Sequence, residues 1–88
     1  RTQGLSLRFE QASVPTGSPY VGKTLAEARI PQNTGLLVIA LRKRSQRSQD
    51  DYHFVFNPGA DSLLNPEDEM IVLGEGDQIQ KLKDYLAP

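Results

Sequence analysis

Two short apolar runs, Leu36–Leu41 and Met70–Leu73, are the clearest hydrophobic feature of the chain. Runs of this length that are rich in β-branched residues and bounded by charge or glycine predict strands. A strand with one face in water alternates apolar and polar side chains, whereas an uninterrupted run predicts that both faces are covered. The helices of a small domain can cover one face of a sheet. What covers the other face is therefore a question about function.

Alternating apolar positions predict two further strands. The first begins with apolar residues at odd positions, namely Leu5, Leu7 and Phe9. The next apolar residues, Ala12 and Val14, are at even positions, so we expect a bulge or bend at Glu10–Gln11. The polar stretch 42–51 predicts a long hairpin connection. A returning strand follows it and places three aromatic residues on one face, namely Tyr52, Phe54 and Phe56.

Capping patterns predict two helices. Thr24 and Glu27 have the spacing of a capping box, and Pro31 is expected to end that helix after two turns at most. Asp77 and Gln80 have the same spacing before a helix with a buried stripe, which consists of Ile79, Leu82, Tyr85 and Leu86. The predicted order is β-α-β-β-β-α. The fold class is α+β, with a small mixed or mostly antiparallel sheet on which a short helix and a C-terminal helix pack.

Length and composition exclude several classes of function. The 88 residues predict one domain spanning 1–88, and a chain that begins at Arg1 without Met is expected to be a fragment of a larger one. There is no cysteine and one histidine, so we expect no metal site, no cofactor and no cysteine nucleophile. Ten basic and eleven acidic residues give no charge footprint for nucleic acid. No apolar run approaches the ~18 residues of a membrane span.

The stretch Gly17–Thr24 matches the P-loop pattern G-x-x-x-x-G-K-[ST] at every fixed position. In a P-loop, backbone amides cradle phosphates and the lysine reaches the terminal ones. Pro19 removes one of those amides, Pro31 shortens the following helix, and no second strand ends in a metal-binding aspartate. We therefore expect no catalytic residues and a turn that leads into a capped helix. A small nucleotide-binding protein built on Gly17–Thr24 is the alternative.

Five stretches occur in an order and spacing that cover nearly the whole chain from Leu5 to Leu86: Tyr20–Leu25, Ile30, Gly35–Arg42, Asn57–Asp61 and Asp68–Gly74. Together they resemble the C-terminal domain of RCK (TrkA-C) proteins. These proteins regulate potassium channels and transporters and also occur attached to other membrane carriers.

The resemblance implies a ligand-sensing dimerisation module that controls gating and does not itself carry the ion. Its implied partners are a second copy, a membrane channel or transporter, and a Rossmann-like nucleotide-binding N-lobe, at the cytoplasmic face of the membrane. Some members bind cyclic di-AMP with a basic residue just after the position of Ile30. This chain has Pro31 there, which argues against that ligand. Attachment to a different membrane carrier, or a free-standing binding protein, are alternative interpretations.

Candidate site residues lie at the ends and along the faces of the central strands. For a small regulatory ligand, either an ion or a nucleotide, we expect an anion to contact Asn33, Arg42 and Arg44, and a cation to contact Asp61 and Glu67. Each of these also fits a solvated surface position. The candidate dimer interface consists of Leu37, Ile39, Leu41 and Ile71.

Overall fold

A computed structural model of the chain describes residues 6–45, 48 and 50–88. These form β1 (Leu7–Ser13), α1 (Leu25–Ala28), α2 (Ile30–Thr34), β2 (Leu37–Arg44), β3 (Tyr52–Phe56), β4 (Glu69–Glu75) and α3 (Gly76–Leu86). The strands make one antiparallel sheet in the order β1-β4-β2-β3. The predicted α+β class is confirmed. Leu5 and three residues of the predicted hairpin connection (46, 47 and 49) lie outside the described part of the chain.

One face of the sheet, which we call the inner face, carries the core. Its buried side chains come mainly from β1, β2 and β4, and α2 and α3 pack against these three strands. The buried cluster consists of Ala12, Val14, Ala28, Ile30, Leu36, Leu41, Leu64, Met70, Val72, Leu82 and Leu86. The predicted stripe of α3 is confirmed, because Leu82 and Leu86 are buried and its other two members pack against the cluster.

The bulge lies in β2 and not in β1. β1 pairs with β4 in an unbroken register from Leu7 to Ser13, so the predicted bend at Glu10–Gln11 was wrong. In β2 the register shifts between Val38, which lies opposite Val72, and Ala40, which lies opposite Ile71. Ile39 is therefore the extra residue. No bend is needed to explain the apolar residues at both odd and even positions of β1, because both faces of this strand carry apolar side chains.

Helix α1 begins as predicted and ends earlier than predicted. Thr24 and Glu27 form the expected capping box, with Glu27 N donating to Thr24 Oγ1 over 3.2 Å and Thr24 N donating to Glu27 Oε1 over 2.9 Å. The chain then leaves α1 at Arg29, whose φ of 52° is left-handed. Pro31 does not end this helix. It occupies the first turn of α2, where a missing N–H removes no intrahelical bond.

Helix α3 begins before the position that its sequence pattern indicated. Glu75 is the N-cap, and Glu75 N donates to Gln78 Oε1 over 2.7 Å, so the capping box is 75–78 and not the predicted Asp77 and Gln80. Two glycines make room for the Gln78 amide: a Cβ at Gly35 or Gly74 would collide with it. The Gln78 side chain that caps α3 thus packs closely against these two glycines.

Candidate functional site

The other face of the sheet, which we call the outer face, is apolar and open to solvent. Five of its side chains keep about half or more of their surface exposed: Leu7 52%, Phe9 64%, Leu37 56%, Phe54 49% and Phe56 74%. Ile71 and Leu73 of β4 lie between them and are half-buried. No helix in the described chain packs on this face, so the sheet has one covered and one uncovered apolar face.

Strand register makes these side chains one continuous patch. Leu73 is paired with Phe9 on one side and with Leu37 on the other, so the three side chains cross the sheet on one face. The rings of Phe54 and Phe56 stack with centroids 5.8 Å apart. Contiguous exposed apolar surface of this kind typically marks an interaction site.

A charged cluster borders the apolar patch at the far end of β2. Arg42 Nη1 donates to Glu69 Oε1 over 2.8 Å, and Arg44 Nη1 donates to Glu67 Oε1 over 3.3 Å. The Tyr52 ring lies under Arg42, whose Cζ is 3.5 Å from the ring centroid, and the Tyr52 hydroxyl accepts from Arg44 over 3.2 Å. This bond with the hydroxyl raises the pKa of Arg44. The candidate anion ligands Arg42 and Arg44 and the candidate cation ligand Glu67 thus pair with acidic and basic neighbours in this chain.

Lys43, between these arginines, points to the inner face. Its Nζ donates to a carboxylate oxygen of Asp68 and, over 2.9 Å, to the carbonyl oxygen of Leu63. The side chains of Lys43 and Asp68 are 15% and 3% exposed, so the pair is largely buried. Three consecutive basic residues of β2 therefore pair with three consecutive acidic ones in the turn before β4 and at its first residue. The sequence gave no sign of this pairing.

Asn33, the remaining candidate anion ligand, belongs to a hydrogen-bonded cluster at the end of α3. Its Nδ2 donates to Arg29 O over 2.8 Å and to the Tyr85 hydroxyl over 3.1 Å. The Tyr85 hydroxyl in turn donates to Ala28 O over 2.6 Å. Burial, followed by the proximity of the Tyr20 hydroxyl, raises the pKa of Tyr85 to about 12. This cluster fastens α3 to the turn between α1 and α2.

The four candidate interface residues lie in different environments. Leu37 and Ile71 are on the outer face, and Ile39 is at the bulge beside it. Leu41 is 1% exposed and belongs to the core cluster, because the bulge turns its side chain to the inner face. Sequence reasoning left out the exposed aromatic residues of the outer face. The alternation of aromatics in β3 was the signal that could have identified them.

The P-loop-like stretch pairs with another segment of the same chain. Gly22 N donates to Leu64 O over 2.8 Å, and Leu64 N donates to Lys23 O over 2.9 Å. The amides of Leu25 and Ala26 also bind carbonyl oxygens of the 60–62 segment. The Thr24 hydroxyl takes part in its helix cap. Within the stretch itself, the amides of Gly22, Lys23 and Thr24 are hydrogen-bonded inside the chain, which argues against the nucleotide-binding alternative.

Other chemical features are few in the part of the chain that the structure describes. No group of three or more histidine, cysteine, aspartate or glutamate residues is arranged to hold a metal ion there. None of its helices is long and apolar enough to cross a membrane. Asp61, the second candidate cation ligand, is exposed in the loop after β3. The outer face therefore remains the main candidate functional surface.

The sequence profile of the TrkA-C domain matches residues 9–87, which is nearly the whole chain. The chain belongs to the TrkA-C domain family. This is a family of regulatory domains, and several of its members belong to potassium transport proteins. The α+β fold described above is thus that of a TrkA-C domain.

A curated relative and two solved structures are similar to this TrkA-C domain. The K(+)/H(+) antiporter subunit KhtT of Bacillus subtilis (strain 168) is 34% identical over 82 residues, which are 92% of this chain and 46% of KhtT. The chain spans about half the length of that relative. The RCK_C domain dimer of S. agalactiae BusR in complex with c-di-AMP superposes with a TM-score of 0.74 at 22% identity, covering 91% of this chain and 90% of that one.

The C domain of the potassium transport protein KtrA, a regulator of conductance of K+, is also similar in structure. It was solved with c-di-AMP, and the TM-score is 0.65 at 18% identity over 92% of this chain and 82% of that one. At such identities the likeness shows the fold alone. BusR has also been solved with its busAB-promotor DNA, so a protein with this fold can belong to a DNA-binding regulator, a class that the charge balance of this chain did not favour.

Proposed function

We propose that this TrkA-C domain is a regulatory pairing module of a potassium channel or transporter. Two copies associate through their outer faces at the cytoplasmic side of the membrane, and a ligand bound near the pair sets the activity of the attached protein. The module controls gating or transport and carries no ion. The similarity to an antiporter subunit over most of the chain supports potassium as the transported ion.

The uncovered apolar outer face is the observation that carries this proposal. Leu37, Ile71 and the neighbouring aromatic side chains would be withdrawn from water by a second copy. Self-complementary two-fold pairing is the commonest way to bury such a face. The Arg42–Glu69 and Arg44–Glu67 pairs lie at one end of the patch, where a polar rim belongs in a protein interface.

Association and its location can be tested together. Light scattering after size exclusion at micromolar concentration is expected to give a dimer for the natural sequence. Leu37→Asp is expected to give a monomer, because it places a charge within the apolar patch. The matched control is Leu63→Asp, which changes a leucine of similar exposure (52% against 56%) outside the outer face and is expected to remain dimeric. A monomeric natural sequence, or equal effects of the two variants, would contradict pairing through this face.

The regulatory ligand is proposed to bind beside the pairing surface, in a cleft of about 260 Å³ that includes Leu37 and Pro31 in its lining. A ligand there would touch the second copy, and it could shift the attached protein only by favouring one arrangement of the pair. The described lining of this cleft contains no lysine or arginine. Two phosphate groups would therefore find no cation in it, and titration calorimetry with cyclic di-AMP is expected to show no saturable heat. Micromolar binding would overturn this expectation.

The functional role requires the longer protein. Removing the module from the full-length channel or transporter and recording potassium flux in liposomes is expected to abolish the response to ligand while permeation remains. A correctly assembled deletion variant with unchanged regulation would contradict the regulatory role. Regulated flux of another solute, without potassium flux, would favour attachment to a different membrane carrier.

A further inference from the structure

A second cleft lies on the inner face of the sheet, at the hairpin of β2 and β3. Leu41 of β2 and Val55 of β3 are paired across the hairpin and form its floor. The half-exposed side chain of Leu63 forms one wall. The cleft has a volume of about 340 Å³, which is at the small end of the range for ligand pockets. It lies on the opposite side of the sheet from the proposed pairing surface.

The wall of this cleft is held in place by backbone hydrogen bonds. The loop 60–64 exchanges four of them with the segment 22–26, each between 2.8 and 3.0 Å long. Lys43 holds the same wall from the other side, because its ammonium group donates to Leu63 O over 2.9 Å. A preformed cleft loses little conformational freedom when it binds a ligand. The cleft is therefore preformed before a ligand binds.

The charges around the cleft select against anions. The positive charge of Lys43 is matched by the carboxylate of Asp68, with which it makes a buried ion pair. Asp61, on the rim, is exposed, and its carboxylate forms no hydrogen bond or ion pair with the described residues. One negative charge is left over beside an apolar floor. This combination suits a ligand with the opposite charge and an apolar body.

We propose that this cleft binds a small organic cation. Its hydrocarbon part lies on Leu41 and Val55 and against Leu63, and its ammonium or guanidinium group meets the carboxylate of Asp61. The volume suits a molecule smaller than a nucleotide. The site lies within one copy of the chain, so it does not depend on the proposed pairing or on the proposed regulatory ligand.

Three probes of similar length and different charge test the site: hexylammonium, hexanol and hexanoate. In an NMR titration of the isolated chain, hexylammonium is expected to shift the amide signals of Val55, Ser62 and Leu63 with millimolar affinity. Hexanol is expected to bind more weakly and hexanoate most weakly. Added salt should reduce the affinity for the cation, because the contact with Asp61 is exposed. Equal binding of all three probes, or no binding of hexylammonium, would overturn the proposal.

Two variants and a control locate the contact. Asp61→Asn is expected to weaken hexylammonium binding about two- to fivefold, as for an exposed ion pair, and to leave hexanol binding unchanged. Val55→Phe fills the floor and is expected to abolish binding of both probes. Asp77→Asn changes an exposed carboxylate in the first turn of α3, away from the cleft, and is expected to change nothing. An Asp77 variant that weakens binding as much as the Asp61 variant would show a general charge effect and would also overturn the proposal.

Discussion

Lys43 and Asp68 form a buried ion pair that joins β2 to the turn before β4. The carboxylate of Asp68 accepts from Lys43 and, over 2.9 Å, from the backbone amide of Asn65. Its own backbone carbonyl accepts from Val14 N over 2.8 Å. One acidic residue thus connects the end of β1, the turn 65–68 and β2.

Asp68→Ala is expected to lower the free energy of unfolding by about 3 kcal/mol, because it leaves the ammonium of Lys43 buried without a counter-charge. Chemical denaturation followed by circular dichroism measures this. The control is Glu67→Ala, which breaks the neighbouring exposed pair with Arg44 and should cost no more than about 1 kcal/mol. Equal losses for the two variants would contradict the distinction between a buried and an exposed pair.

Gly74→Ala is expected to lower the free energy of unfolding by about 1–3 kcal/mol, as overpacking of a core does. A Cβ at this position would overlap the side chains of Leu36 and Gln78, and Leu36 is fully buried. Gly17→Ala is the control, since its Cβ would meet Pro88 at 3.3 Å and that residue is exposed. Thermal unfolding compares the two. A stable Gly74→Ala variant would show that Leu36 can repack.

Tyr85→Phe removes two hydrogen bonds, one donated to Ala28 O and one accepted from Asn33. We expect a loss of about 1–2 kcal/mol in the free energy of unfolding. Tyr52→Phe, which loses an exposed hydroxyl that accepts from Arg44, should cost less than about 0.5 kcal/mol. Denaturant titration at neutral pH distinguishes the two. A larger loss for Tyr52→Phe would contradict the role of the Tyr85 cluster.

The pH dependence of the free energy of unfolding should reflect the raised pKa of Tyr85. The fold raises the pKa of Tyr85 to about 12, so the folded state favours the neutral hydroxyl. Its contribution is fully present below the ordinary tyrosine pKa of about 10 and is lost as the pH rises through the raised value. Natural chain and Tyr85→Phe should therefore converge in stability as the pH rises above 10. Parallel curves up to the alkaline limit would contradict the raised pKa.

Lys23→Ala is expected to leave both the fold and association unchanged, because the amides around Lys23 bind the 60–64 segment of the same chain. Calorimetric titration of the natural chain with Mg²⁺-ATP should show no saturable heat. Lys81→Ala, on the exposed side of α3, is the matched control for loss of a surface lysine. Micromolar ATP binding that disappears only in the Lys23 variant would restore the nucleotide-binding alternative.

The sequence alone determined the elements that depend on neighbouring residues. The apolar runs identified β2 and β4, the alternating aromatics identified β3, and the Thr24–Glu27 spacing gave a helix cap that the structure contains. The resemblance to the TrkA-C family was also visible in the order of short stretches, and the family profile confirmed it. These features depend on neighbouring residues or on the regular residue spacing within a single helix or strand, so the sequence alone can show them.

Tertiary structure decided everything that depends on pairing between distant segments. Alternation along β1 shows which of its side chains share a face, but it does not show which face the helices cover. In the structure, Leu7 and Phe9 are exposed while Ala12 is buried. The bulge at Ile39 turns Leu41 into the core and leaves Leu37 on the outer face. Likewise, the basic run 42–44 looked free for ligands until the register of β2 against β4 placed the acidic run 67–69 beside it. Strand order and register follow from the packing of the whole sheet, and no segment encodes them by itself.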